Sequence, residues 1–399
     1  MLSKYKVEYF RVKGIASDSA PYMTLCVTTL RGIIGEHLLH FQCWTHKLDK
    51  VEKIPMETLP RLNEFIKKTK KVFKNSRKRR NRYRAFLEGK YGKEEKAKIK
   101  LFPLPIMCRF SSWKKSADYV TDYVDDLVEF VQGLPGDDVT AVDYFKRLTP
   151  EDVLIVKAES AFVTEHCSAV SNLLKLTGNN TIPLAHRLYP ELEEVITAYA
   201  LLENSENLEQ VLGEKTKAAI QELHRTKKKN VKERFQSVAK KCQARLKSLM
   251  ESDSANDFFS SCALLFHPVK IMSASLENLT GAFKNLTIFR DLPMNELLVL
   301  HAVLKENVQR KLASQSSSSS KGDAVFNVLT GMLATHESFA GKCLNVMFYS
   351  VSNLDTERAF SAYGDVVSPK RSTMSVRNAE TYMALYFGDE IDDEIVDVE

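Results

Sequence analysis

Asp18 and Glu357 are the carboxylates whose settings invite chemistry. Asp18 stands in Ser17-Asp18-Ser19-Ala20-Pro21-Tyr22-Met23, and Glu357 in Leu354-Asp355-Thr356-Glu357-Arg358-Ala359-Phe360-Ser361-Ala362-Tyr363. Carboxylate oxygens are the hard donors that Mg²⁺ or Mn²⁺ takes. Each has a plainer reading as well. Asp18, with Ser17 and Ser19, could cap the helix that follows, and Glu357 could pair with Arg358 or Lys370. Cys43 and His46, in Cys43-Trp44-Thr45-His46, make half of a zinc site, but no second pair of suitable spacing exists and core packing is the simpler expectation.

A second chemistry is anion binding. Between Lys67 and Arg84, eleven of eighteen residues are basic: Lys67, Lys68, Lys70, Lys71, Lys74, Arg77, Lys78, Arg79, Arg80, Arg82 and Arg84. Such a run serves as a nuclear import signal, as a phosphate-binding surface that gains affinity by counterion release, or as a solvated face. Phosphate contacts position nucleic acid without reading its sequence. Arg109, in Cys108-Arg109-Phe110-Ser111-Ser112-Trp113, and the pair Lys370-Arg371 join the candidates for DNA contact. For Arg225-Thr226-Lys227-Lys228-Lys229-Asn230, inside a long polar stretch, a solvated face is expected.

The segment around Glu357, followed by Ser368-Pro369-Lys370-Arg371 and Asn378-Ala379-Glu380, resembles the carboxy-terminal region of hAT-superfamily DNA transposases. That region carries an S/T-E-R-x-F-S core, a K-R pair and a closing apolar helix. In the same chain order, the Asp18 segment is similar to the family's (S/T)-D-x-A-x-x-M, Cys43 to His46 to its C-x-x-H, and Cys108 to Trp113 to its T-R-W-x-S, with Phe110 in place of the tryptophan. The resemblance implies an RNase H-like core interrupted by a large helical insertion. It puts Asp18 in the place of the second catalytic aspartate and Glu357 in that of the glutamate. The family's first aspartate, in a T-x-D-x-W context, has no counterpart among residues 1–17, nor does a BED-type finger. The expectation is therefore a domesticated, transposon-derived nuclear protein that self-associates and binds DNA without catalysis and without a metal cofactor. The alternatives are a fragment of an active, Mg²⁺- or Mn²⁺-dependent transposase whose start was assigned late, and a protein-interaction scaffold. The resemblance also implies a dimerisation region, where Tyr382, Met383, Leu385, Tyr386 and Phe387 form the apolar set.

The elements that must hold these residues follow from composition and period. The chain has 399 residues, 44% of them apolar, with net charge +6. It has no run of eighteen or more uncharged apolar residues, and the start, Met1 to Lys6, shows no apolar h-region, so a soluble, intracellular protein is the expectation. The seven scattered cysteines, Cys26, Cys43, Cys108, Cys167, Cys242, Cys262 and Cys343, suit reduced thiols. Residues 6–17 read as a strand, the stretch after Pro21 as a helix, and LLHFQCW as a second strand, the rhythm of a parallel α/β unit. A helix over 116–134 ends at Gly133. Helical period prevails from 150 to 313 and includes one long helix from Leu208 to Met250. The expected fold is mainly α with a small α/β part. Its segments are a partial RNase H-like core (1–58), a basic helical segment with the R-F-S-S-W motif (59–149), an all-α insertion (150–313), a serine-rich linker (314–324), the closing or dimerising region (325–388) and an acidic tail (389–399).

Overall fold

The computed structural model describes residues 8–18, 20–92, 94–106, 110–135, 140–178, 182–314 and 321–353. The chain divides into two compact units. The first comprises residues 1–45, 177–186 and 264–399, and the second residues 46–176 and 187–263. The second unit thus takes in all of segment 59–149 together with much of the stretch read as an insertion.

In the first unit, β1 (Gly14–Ser17) and β2 (Leu39–Gln42) pair in parallel, from Gly14 opposite Leu39 to Ser17 opposite Gln42. The crossover is α1 (Pro21–Ile34), which opens on a proline and stops at Gly35, a glycine at φ +123°. Gly14 must lack a side chain because a Cβ there would lie 2.4 Å from the Phe41 ring. That ring in turn packs on Tyr349 at 5.3 Å. The strand expected over 6–17 is thus confined to its last four residues. A 3₁₀ turn at Tyr9–Arg11 precedes it, and there Tyr9 and Phe10 stay exposed with no apolar face to alternate against.

The regular elements among the second unit's described residues are all helices. Its elements are α2 (Trp44–Thr58), which starts at the boundary, α3 (Pro60–Phe73), α4 (Arg77–Tyr91), α5 (Phe110–Gln132), α6 (Thr140–Lys146), α7 (Pro150–His166), α8 (Ser168–Thr177), α9 (Leu188–Asn204), α10 (Leu208–Val211), α11 (Glu214–Gln221), α12 (Arg225–Glu251) and α13 (Asn256–Phe266). Helix α7 begins in a capping box: Thr149 accepts the Asp152 amide while Asp152 accepts the Thr149 amide. The single helix expected from Leu208 to Met250 is instead three, α10 to α12. The break has a cause in Glu165, whose carboxylate caps α11 by accepting the amides of Lys215 (2.9 Å) and Thr216 (3.0 Å) and the Thr216 hydroxyl (2.6 Å). Gly213 passes so close that a Cβ would lie 2.3 Å from that carboxylate. A buried pair, Lys47 with Asp253 at 3.0 Å, ties the start of α2 to the turn after α12.

The remaining helices belong to the first unit: α14 (Lys270–Ser273), α15 (Leu276–Asn285), α16 (Met294–Ser314), α17 (Lys321–Met332) and α18 (Glu337–Met347). The last residues of the expected linker, 321–324, open α17. Beyond α18 the Val351 carbonyl accepts the Trp44 amide at 2.9 Å, which brings the chain back beside the end of β2. The described residues form a mainly α protein with a small parallel α/β part. None of their helices is long and apolar enough to cross a membrane.

Candidate nucleic-acid interface

Helix α3 is amphipathic because its apolar residues recur at helical spacing. Leu62, Phe65, Ile66, Thr69, Val72 and Phe73 are buried, which turns Lys67, Lys71 and Lys74 to solvent, with Lys68 and Lys70 half-buried beside them. Lys68 lies over the Tyr144 ring at 5.5 Å. Together with Glu57, Pro60, Asn63 and Glu64, these lysines line a groove of about 650 Å³ along α3.

The helix stops where Lys74 turns extended and Asn75 takes φ 56°, a left-handed conformation that asparagine tolerates. Ser76 then caps α4 by accepting the Arg79 amide at 3.3 Å. The Arg79 guanidinium donates back to the Val72 carbonyl at 2.6 Å and fixes the angle between the two helices. Only Tyr83 and Leu87 of α4 are fully buried. They hold it through an aromatic cluster in which Tyr83 and Phe73 both pack on Phe130 of α5 (4.9 and 6.0 Å), and the Tyr83 hydroxyl meets that of Tyr119 at 2.9 Å.

The basic run is therefore folded, with its apolar neighbours in the core, and import receptors that read extended peptides would have to unfold it. The first turn of α4, Arg77 to Arg80, is all cationic. Cations are disfavoured there, at the positive end of the helix dipole, so the local sequence resists its own helix in favour of an anion. Among the described residues no carboxylate lies within salt-bridge distance of Lys67, Lys70, Lys71, Lys74, Arg77, Lys78, Arg80, Arg82 or Arg84.

Nearby acids are engaged elsewhere. On α5, Asp126 and Glu129 take Lys90, Asp125 takes Lys157, Asp122 takes Lys215 and Asp118 takes Lys114. The basic run of α12 contrasts with that of α3 and α4. Lys228 and Lys232 share Glu209, Lys227 reaches Glu151 at 3.8 Å and Lys229 reaches Glu233 at 3.9 Å. The start of α5 also adjoins the ridge, since buried Trp113 donates its indole N–H to Asn63, a groove residue, at 3.2 Å. That contact brings the end of the R-F-S-S-W motif to α3; Arg109 itself lies outside the described residues.

Asp18 directly follows β1, at the carboxyl edge of the sheet where α/β folds place their ligands. Its carboxylate accepts the Ala20 amide at 3.2 Å, in a turn before α1 rather than as its cap, which is Ala20 with no side-chain bond. Ser17 is buried beneath it, 2.8 Å from His40 Nε2. Cys43 is buried and accepts the Asn353 amide at 3.4 Å. Among the described residues no group of three or more His, Cys, Asp or Glu side chains comes together as metal ligands. Glu357, Lys370, Arg371, Tyr382, Met383, Leu385, Tyr386 and Phe387 lie outside the described residues.

Buried carboxylates are what sequence reasoning missed. Glu52 on α2 is buried and accepts the Ser171 hydroxyl at 2.5 Å; burial pushes its carboxyl up to about 7, with the Ser171 bond pulling the other way. Glu159 on α7 is fully buried as well. The only sequence signal was an acid inside an apolar stretch, VLIVKAESAFV, and that names no partner. No family model and no curated protein matches the chain.

Proposed function

We propose that this is a domesticated, hAT transposase-derived nuclear protein that binds nucleic-acid phosphates through the α3–α4 ridge, self-associates, and performs no strand cleavage. The carrying observation is the unpaired charge of the ridge. Lys227, Lys228, Lys229 and Lys232 of α12 pair with acids, whereas among the described residues no carboxylate lies within salt-bridge distance of Lys67, Lys70, Lys71, Lys74, Arg77, Lys78, Arg80, Arg82 or Arg84. A surface of this kind binds by releasing counterions and reads no bases. Support for the RNase H-like ancestry comes from the parallel β1–α1–β2 crossover with an acid directly after β1. Self-association rests on the apolar set Tyr382, Met383, Leu385, Tyr386 and Phe387.

The test is retention of a random-sequence duplex by the full chain, against a variant with Arg77, Lys78, Arg80, Arg82 and Arg84 changed to glutamate. Loss of retention is expected. Retention equal to that of the unaltered chain would overturn the reading and favour a protein-binding scaffold. Metal-dependent nicking of the duplex, abolished by Glu357→Gln, would overturn the absence of catalysis.

A further inference from the structure

Helix α3 opens without a side-chain cap of its own, because Leu59 precedes it and Pro60 is its first residue. The first amides of a helix need acceptors from elsewhere. One is supplied by α7: Glu159 Oε2 accepts the Leu62 amide at 2.8 Å, while Oε1 faces the Arg234 guanidinium of α12 at 3.0 Å. Glu159 is 0% exposed, so a single buried carboxylate joins the lysine helix to two others. The charged and titratable groups around it are Arg61 and Arg234, Tyr144 of α6, and Asp152 on its own helix, which is drawn toward Arg61 at 3.5 Å. Of the other helices packed on α7, α5 pairs its Asp125 with Lys157, and α11 meets Glu165 through the Lys215 and Thr216 amides while its Lys215 ammonium pairs with Asp122.

We propose that Glu159 is a proton-operated clamp on α3: ionised, it anchors the Leu62 amide and pairs Arg234; protonated, it releases both and loosens the helix that presents Lys67 to Lys74. Burial, opposed by Arg234 and the Leu62 amide, pushes its carboxyl up to about 7, which places the switch near neutrality; release removes those two opposing partners while the carboxyl stays buried, so the released state holds its proton more tightly and acid favours it. That phosphate binding follows the clamp rests on the function proposed above. The sign is distinctive. Acidification adds positive charge to a protein and ordinarily favours polyanions, whereas release of the clamp weakens their binding.

The test uses the full chain labelled with ¹⁵N-leucine, the Leu62 signal being assigned through Leu62→Met, together with a random-sequence duplex as probe. The Leu62 amide is expected to titrate with a midpoint near 7. The titration should vanish in Glu159→Gln and move to higher pH in Arg234→Gln, where the ionised carboxylate loses its partner. Duplex affinity should fall with the same midpoint between pH 8 and 6, by about fivefold, the low end of coupling between sites. A Leu62 signal that stays flat, or that titrates unchanged in both variants, overturns the clamp whatever the duplex does. A titrating Leu62 with an affinity that does not fall overturns its link to the ridge. A duplex that binds at no pH sinks the nucleic-acid reading and leaves the clamp standing on the Leu62 titration.

Discussion

Glu52 and Glu165 show how differently a buried and a half-buried acid act. Glu52 has one hydroxyl as donor and a carboxyl raised to about 7, so its neutral form suits the fold. The stability it contributes is full below the ordinary carboxylate range and is lost as pH rises through 7. Glu52→Gln should therefore stabilise the protein at pH 8 by roughly 1–3 kcal/mol and change little at pH 5, as read by urea unfolding at both values. Glu165 is the reverse case. Burial would raise its carboxyl, but three donors from Lys215 and Thr216 outweigh that and hold it below the usual range. Gly213→Ala would push into this carboxylate and break those bonds, at a cost of about 1–3 kcal/mol in the same unfolding measurement. Neither residue was legible beforehand, because a carboxylate's partners from distant helices leave no trace in its own neighbourhood of sequence.

Helices α3 and α4 owe their positions to opposite rules. The α3 period was plain, since an apolar residue every third or fourth position separated lysines from core. Helix α4 has little apolar stripe, and its place depends on the aromatic cluster at Tyr83, Phe73 and Phe130, which local period does not reveal. The turn between them depends on Asn75 and Ser76. Ser76→Ala should lower stability by about 1 kcal/mol and Ser76→Asp should not, because aspartate keeps the cap and suits the helix dipole. Thermal unfolding of the two variants side by side checks this. The split of 208–250 was hidden for a related reason: the polar residues between α10 and α12 continue a helical pattern, and the break answers to Glu165, fifty residues away by its bond to Lys215.

Across the whole molecule, charge is sorted by pairing more than by amount. Net charge is only +6, and the basic runs of α3–α4 and α12 look alike in sequence. Structure separates them, because Glu151, Glu209 and Glu233 neutralise the second while the acids of α5 are drawn to Lys90, Lys157 and Lys215. A mainly helical fold with a small parallel sheet was readable from period and composition; the division into units at residues 45 and 263 was not, since no composition shift marks either point. The most direct test of the account is the salt dependence of duplex affinity. If the ridge contacts phosphates, changing Lys67, Lys70, Lys71 and Lys74 to glutamine should weaken binding and reduce the slope of log K against log salt by about 3–4, at roughly 0.9 per phosphate contact. The matched change of Lys227, Lys228 and Lys229 to glutamine should leave the slope nearly intact. An unchanged slope in the α3 variant, or an equal loss in both, would contradict the account.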